Sequence, residues 1–501
     1  MLHSLSELFS AMAQFASPGN LVLIFAAGLI GTVVGALPGL GPSAGIALMM
    51  PLTFGMSPIS GLSLLTGVYM GTMYGGRLTS ILINTPGDAP AIVTAIEGYP
   101  MMQKGKGGLA LGISAIASFI GGLFGLAVLV LFAPVIAEYA IFLGPPEYFM
   151  LMLLGLSMIV VLAGADPIKA LIATFFGVLV STIGSDYVSG NARFVIMPEL
   201  IDGVDFVAVI IGLYGIGEVL VGIEERVRLE MGKPRFRFGE FVPNRSELRQ
   251  TALPILRGST LGTLIGVLPG AGATIATFVS YTTERKLTKT PERFGKGAIE
   301  GLASPEAANN AAVPGSLIPL LALGIPGSGG TAIMLGALVM FGLNPGPMLM
   351  VQSADIVWGT IAGLIIANFF LLLSNIMLIP VFVNALRIIQ KHLSAIVLAF
   401  CLVGAFAINY GLFDIWVTAI FGLIGYMMKR ADYPTGPFIL ALVLSPLAEN
   451  YLRQSIMLGQ GEWSIFFAKP LTASFSTLVL LVMAFGLLKA PLRAIWSRRG
   501  L

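Results

Sequence analysis

One eleven-residue pattern occurs twice in this chain and constrains its fold more than any other feature. Residues 31–41 read GTVVGALPGLG and residues 262–272 read GTLIGVLPGAG, identical at seven of eleven positions. Each copy sits inside an apolar run, where proline removes a backbone donor and glycine lifts the side-chain restraint that keeps a helix regular. The pattern predicts two broken membrane helices. A second pair follows in the same order, ILINTPGDAPA around Pro86 and Gly87 and LALGIPGSGGTA around Pro326 and Gly327. Interrupted apolar segments at matching places in two halves point to a secondary transporter with its site at the breaks.

Composition fixes the solvent. Of 501 residues, 56% are hydrophobic and 11% charged, more apolar surface than a soluble fold of this size hides. Runs such as 109–137, 356–386 and 471–488 suit a hydrocarbon core that needs roughly 20 helical residues. The single cysteine, Cys401, excludes an intramolecular disulfide, and with two histidines in the whole chain no Cys/His metal site is expected. No Lys or Arg precedes Arg77, so the N-terminus lacks the basic region of a secretory signal and is expected to be retained.

The expected class is an all-α polytopic membrane protein of two inverted-topology repeats, with broken or re-entrant Pro-Gly helices and one extra C-terminal span. Residues 1–17 alternate apolar and polar groups, as a helix resting on the membrane surface would. Residues 18–222 form the first repeat. It opens on a re-entrant hairpin at 21–52, followed by a span and break at 61–99 and spans near 109–137, 148–163, 170–185 and 206–222. Residues 223–253 form a linker. Eight Lys and Arg between Glu224 and Arg257 place it in the cytoplasm, and five interspersed Glu argue against a nucleic-acid patch. The second repeat, 254–449, has broken segments at 254–282 and 297–340 and spans near 351–386, 393–411, 415–428 and 434–449. Residues 450–501 hold an outer loop, a final span and a basic cytoplasmic tail.

Loop charges predict the inversion. The loop after PGLG is neutral, whereas after PGAG it reads TTERKLTKTPERFGKG; the loop after Pro86-Gly87 carries Lys104 and Lys106, whereas after Pro326-Gly327 it is the neutral FGLNPGP. If positive loops are cytoplasmic, equivalent segments run in opposite directions.

A broken helix survives in lipid only where its freed backbone is buried in protein or lines a watery cavity. Each break exposes a helix N-terminus suited to an anion such as a carboxylate. Helix starts are expected at Pro42-Ser43, Thr85-Pro86 and Ser304-Pro305-Glu306. The expected substrate-binding residues are Gly39, Gly41, Ser43, Arg77, Ser80, Asn84, Thr85, Gly87, Glu306, Asn309, Asn310, Gly327, Ser328 and Gly329. Arg77 is a candidate counter-charge, against a snorkelling or Glu-paired arginine; Glu306, Asn309 and Asn310 share one helical turn. Carbonyls near Gly39, Gly270 and Gly327 are candidate Na⁺ ligands. No resident cofactor or catalytic residue is expected.

Three stretches, GALPGLGPSAGIALMMPLTFGMSP, YMGTMYGGRLTSILINTPGDAPAIVTAIEGYPM and SPEAANNAAVPGSLIPLLALGIPGSGGTAIMLGAL, resemble the large transmembrane subunit of the bacterial tripartite tricarboxylate transporters. FGLIGYMMKRADYPTGPFILALVLSPLAE resembles that subunit's C-terminal part. The chain departs from the pattern at Arg77, where a small residue is expected after YGG. The resemblance implies an inner-membrane secondary transporter for di- and tricarboxylates or related organic anions. It implies coupling to a Na⁺ or H⁺ gradient, a small membrane subunit and a periplasmic solute-binding protein. An ion or organic-anion channel is the alternative, since the breaks alone allow one. An intramembrane enzyme is remote, because HExxH and GxxxxGK[ST] are missing and neither His lies in a motif.

Overall fold

The computed structural model describes residues 2–162, 166–186, 189–225 and 238–498. The expected linker arginines and lysine at 226, 228, 233, 235 and 237 lie outside the described residues, as does Arg499. After α1 (Leu2–Phe15) the first half runs α2 (Pro18–Gly35), α3 (Pro42–Met49), α4 (Pro58–Ile83), α5 (Ala91–Gln103), α6 (Gly107–Ala140), α7 (Pro145–Leu162), α8 (Pro167–Ser181), α9 (Phe206–Ile210), a π-helical turn (Ile211–Ile216) and α10 (Gly217–Glu225). The second runs α11 (Arg245–Val267), α12 (Gly272–Leu287), α13 (Ile299–Leu323), α14 (Gly329–Met340), α15 (Pro347–Gln352), α16 (Ala354–Met377), α17 (Ile379–Asn409), α18 (Leu412–Arg430) and α19 (Thr435–Leu458). The short α20 (Ile465–Ala468) and α21 (Pro470–Arg498) complete the chain. Among the described residues the strands are one two-residue antiparallel pair, Gly184–Ser185 with Ala192–Arg193. Six helical stretches there are long and apolar enough to cross a membrane. The fold is all-α and polytopic.

Local signals set the helix ends. Ser17 and Ser57 cap α2 and α4, each followed by a proline in the first turn. Asn244 and Glu247 form a capping box at α11, which therefore begins inside the stretch read as linker. α4 and α13 end on matching residues, Asn84 and Gly324, both in the left-handed conformation.

Several close helix approaches recur in the two halves. A Cβ on Gly35 would strike the Thr72 carbonyl oxygen, and one on Gly266 comes within 2.6 Å of the Ala312 carbonyl oxygen. In the same register Gly31 abuts Val68 as Gly262 abuts Ala308, and Gly75 abuts Thr32 as Gly315 abuts Thr263. Gly87 rests on the Gly35 carbonyl as Gly327 rests on that of Gly266. Packing between the halves is reciprocal too. α6 lies on α13 while α16 lies on α4; α14 touches α4 while α5 touches α13; α8 pairs with α19 while α18 pairs with the π turn and its flanking helices.

Some local expectations differ from the structure. α1 buries Leu8, Ala11 and Phe15, packing against α16 instead of only resting on a membrane surface. α2 gains length by starting at Pro18 and is among the six span-length stretches, so the first arm is not short. No helix starts at Thr85-Pro86; α5 begins after Pro90. None starts at Ser304 either, because α13 continues through Pro305, which removes one N–H without ending the helix. The stretch 351–386 is divided at Leu378, where α16 ends and Pro380 enters the first turn of α17.

Candidate functional site

At the breaks the halves touch through polar groups. In the first, Gly39 has φ 89° and its counterpart Gly270 has φ 77°, a backbone conformation that side chains disfavour and that explains the repeated Pro-Gly. The first break meets the second: a Cβ on Gly41 would lie 3.9 Å from that of Asp88, and Gly87 sits on the Gly35 carbonyl. The third meets the fourth, where Gly270 N–H donates to the Gly327 carbonyl at 3.1 Å. Between halves, a Cβ on Gly329 would lie 2.8 Å from Ser43 Oγ and 3.8 Å from the Tyr214 hydroxyl. Tyr69 of α4 places its hydroxyl 2.9 Å from Ser328 Oγ. Ser328 caps α14, accepting from Thr331 N–H at 3.2 Å while Thr331 Oγ1 accepts from Ser328 N–H at 2.8 Å. Gly41, Ser43, Gly270, Gly272 and Gly329 are partly exposed and Gly39 is exposed, in contrast to the buried helices around them.

The chemistry of this place is that of hydroxyls and helix N-termini around a partly open junction. α14 and α3 both start here, and their unpaired N–H groups favour an anion. Glu218 lies on the other flank, with Oε2 within 3.4 Å of a Cβ on Gly39, and forms an ion pair with Lys429.

Arg77 stands apart. It is 0% exposed, and four of its donor contacts go to the chain itself: Nε to the Tyr74 carbonyl at 3.1 Å, Nη1 to the Leu111 carbonyl at 2.7 Å and Ser114 Oγ at 2.6 Å, Nη2 to Asn375 Oδ1 at 3.1 Å. Asn375 passes the chain on to Thr32, and Tyr74 donates to Asn368. The guanidinium thus binds α4, α6 and α16 together. Glu306 is equally enclosed, accepting from Thr94 and from Ser118 at 2.9 Å. Asn310 Nδ2 donates to the Glu306 carbonyl and Asn309 Nδ2 to that of Met73. Their Oδ1 atoms are buried without a donor. Ser80 is buried with its hydroxyl on the Gly76 and Ala91 carbonyls. Asn84 is exposed at the end of α4, and Thr85 binds the Ile83 carbonyl.

Of the expected residues, Gly39, Gly41, Ser43, Gly327, Ser328 and Gly329 are brought together, with Gly87 against their edge. Arg77, Ser80, Glu306 and Asn310 are engaged inside the helix packing. Sequence reasoning missed Tyr69, Tyr214 and Asp88. Asp88 carried a signal, being an acid directly after Pro86-Gly87; the tyrosines carried none.

The family model of the tripartite tricarboxylate transporter TctA family matches residues 21–440, which include all four breaks. The chain belongs to this family. The TctA family is that of the large membrane subunit of tripartite tricarboxylate transporters, which fits the all-α membrane architecture. A relative from Agrobacterium vitis, described as an uncharacterised 52.8 kDa protein in the TAR-I ttuC' 3' region, is 38% identical over 489 residues, 97% of each chain. A second, described as an uncharacterised protein in the TAR-II ttuC' 3' region of the same organism, is 39% identical over 227 residues, 45% of this chain and 94% of its own. No solved structure matches the chain.

Proposed function

We propose that this TctA-family chain imports di- or tricarboxylates or related organic anions across a bacterial inner membrane. A periplasmic binding protein delivers the anion, a small membrane subunit completes the assembly, and a Na⁺ or H⁺ gradient drives uptake. The carboxylates sit at the junction of Ser43, Ser328 and Gly329, against the N-termini of α3 and α14. The two repeats run in opposite directions through the bilayer and alternate access by moving against each other. The linker and C-terminal tail are cytoplasmic.

The observation that carries this reading is the meeting of Ser43 with Gly329, because a break from each half contributes to one partly exposed place. Repeat-related breaks that share a site let one rearrangement close one side while opening the other. Arg77 has no role in substrate contact here; it holds the helices behind the site.

The test is uptake of radiolabelled citrate, and of a panel of dicarboxylates, into liposomes holding the chain with its small subunit and binding protein. Gradient-dependent accumulation and counterflow are expected. Downhill leak without counterflow would identify a channel and defeat the proposal.

A further inference from the structure

The internal repeat supplies a control for one residue. At the fourth break, Ser328 caps α14 with a single oxygen that accepts from Thr331 N–H. The residue in register at the second break is Asp88, whose Oδ1 accepts from Ala91 N–H, the counterpart of Thr331, at 3.0 Å. Serine shows that capping here takes one oxygen. Asp88 brings a second, Oδ2, and a negative charge, in a residue only 8% exposed. Oδ2 has no hydrogen-bond donor. A buried carboxylate oxygen left unpaired is costly, and the capping hydrogen bond made by Oδ1 does not need it.

A second atom has the same deficiency. Tyr69 reaches across from α4 to bond Ser328 at the fourth break. Its counterpart in α13 is Asn309, and α13 packs on α5 as α4 packs on α14. The reciprocal packing therefore directs Asn309 toward the second break. Asn309 Oδ1 is buried and also lacks a donor, its amide nitrogen being held by the Met73 carbonyl, one turn before Gly76. A Cβ on Gly76 would lie 2.8 Å from Asp88 Oδ1, so both residues border the same turn of α4. One half thus has a hydrogen-bonded pair of hydroxyls, and the other has two donorless oxygens in the equivalent positions.

We propose that Asp88 Oδ2 and Asn309 Oδ1 coordinate a monovalent cation of sodium's kind, held between the second break and α13. Hard oxygen ligands and unwound backbone suit a dehydrated Na⁺ ion, and one carboxylate neutralises one positive charge. The exposed neighbour Ala89 keeps the site close to an accessible surface. This deepens the transporter reading and rests on it for one point, that the ion is the coupling ion.

The test is the thermal stability of the purified full-length chain as NaCl replaces choline chloride at constant ionic strength. The wild type should melt at a higher temperature in Na⁺, and the rise should disappear in Asp88→Ser, which keeps the cap in the form the second half uses. Asn309→Ala should shift the half-saturating Na⁺ concentration at least tenfold upward. No Na⁺-induced rise in the wild type, or the same rise in Asp88→Ser, would overturn the site. Gradient-driven uptake by the wild type that runs on a pH gradient alone would overturn its coupling role. Sodium binding by a chain that never accumulates carboxylate would leave the site standing and defeat the transporter reading separately.

Discussion

The Tyr69 hydroxyl and Ser328 Oγ lie 2.9 Å apart, joining a helix of the first half to the break of the second. Both are buried, so the bond is not exchanged for water while the halves stay in this arrangement. Tyr69→Phe removes it and leaves the ring's packing. A neutral buried hydrogen bond contributes about 1 kcal/mol. Uptake should fall in Tyr69→Phe and in Ser328→Ala, and the double variant should lose less than the two combined. Strictly additive losses in initial uptake rate would show that the two hydroxyls act separately.

Gly35 and Gly266 allow α2 and α11 to lie directly on α4 and α13. Alanine at either position forces helices apart, at a cost of about 1–3 kcal/mol. Gly35→Ala and Gly266→Ala should lower the melting temperature in detergent by similar amounts. Gly222→Ala, where a Cβ meets nothing within 4 Å, should not lower it. Unequal effects at the two repeat positions would argue against the shared packing.

Arg77 is expected to govern folding. Arg77→Ala leaves Asn375 Oδ1 without its donor and a cavity between α4, α6 and α16, a loss of about 2–5 kcal/mol. The variant should accumulate poorly in membranes, and Arg77→Lys should melt lower because an ammonium cannot reproduce the planar fork. A stable Arg77→Lys protein with only a raised KM would return Arg77 to the substrate site.

Much of the architecture was legible because its cause is local. Pro38-Gly39 and Pro269-Gly270 break helices by their own backbone chemistry, and the register of GTVVGALPGLG on GTLIGVLPGAG reappears as matched close approaches. The start of α3 at Pro42 was readable for the same reason. Two other proline signals misled. Pro86 lies in an irregular stretch capped further on by Asp88, and Pro305 sits within a helix held by tertiary packing on every side. The role of Arg77 was hidden because its partners Leu111, Ser114 and Asn375 come from helices distant in sequence. Tyr69 and Tyr214 looked like ordinary membrane aromatics, since only the folded chain sets them beside Ser328 and Gly329.

The central claim is that an organic anion occupies the place where Ser43 meets Gly329. The chain's one cysteine, Cys401, is 1% exposed, so a Ser43→Cys protein has little competing background for a polar thiol reagent. Labelling is measured in proteoliposomes shown to take up the carboxylate. Saturating carboxylate should slow modification of the introduced thiol severalfold, whereas a non-transported anion at equal ionic strength should not. An unchanged labelling rate in a preparation that still transports would contradict the claim.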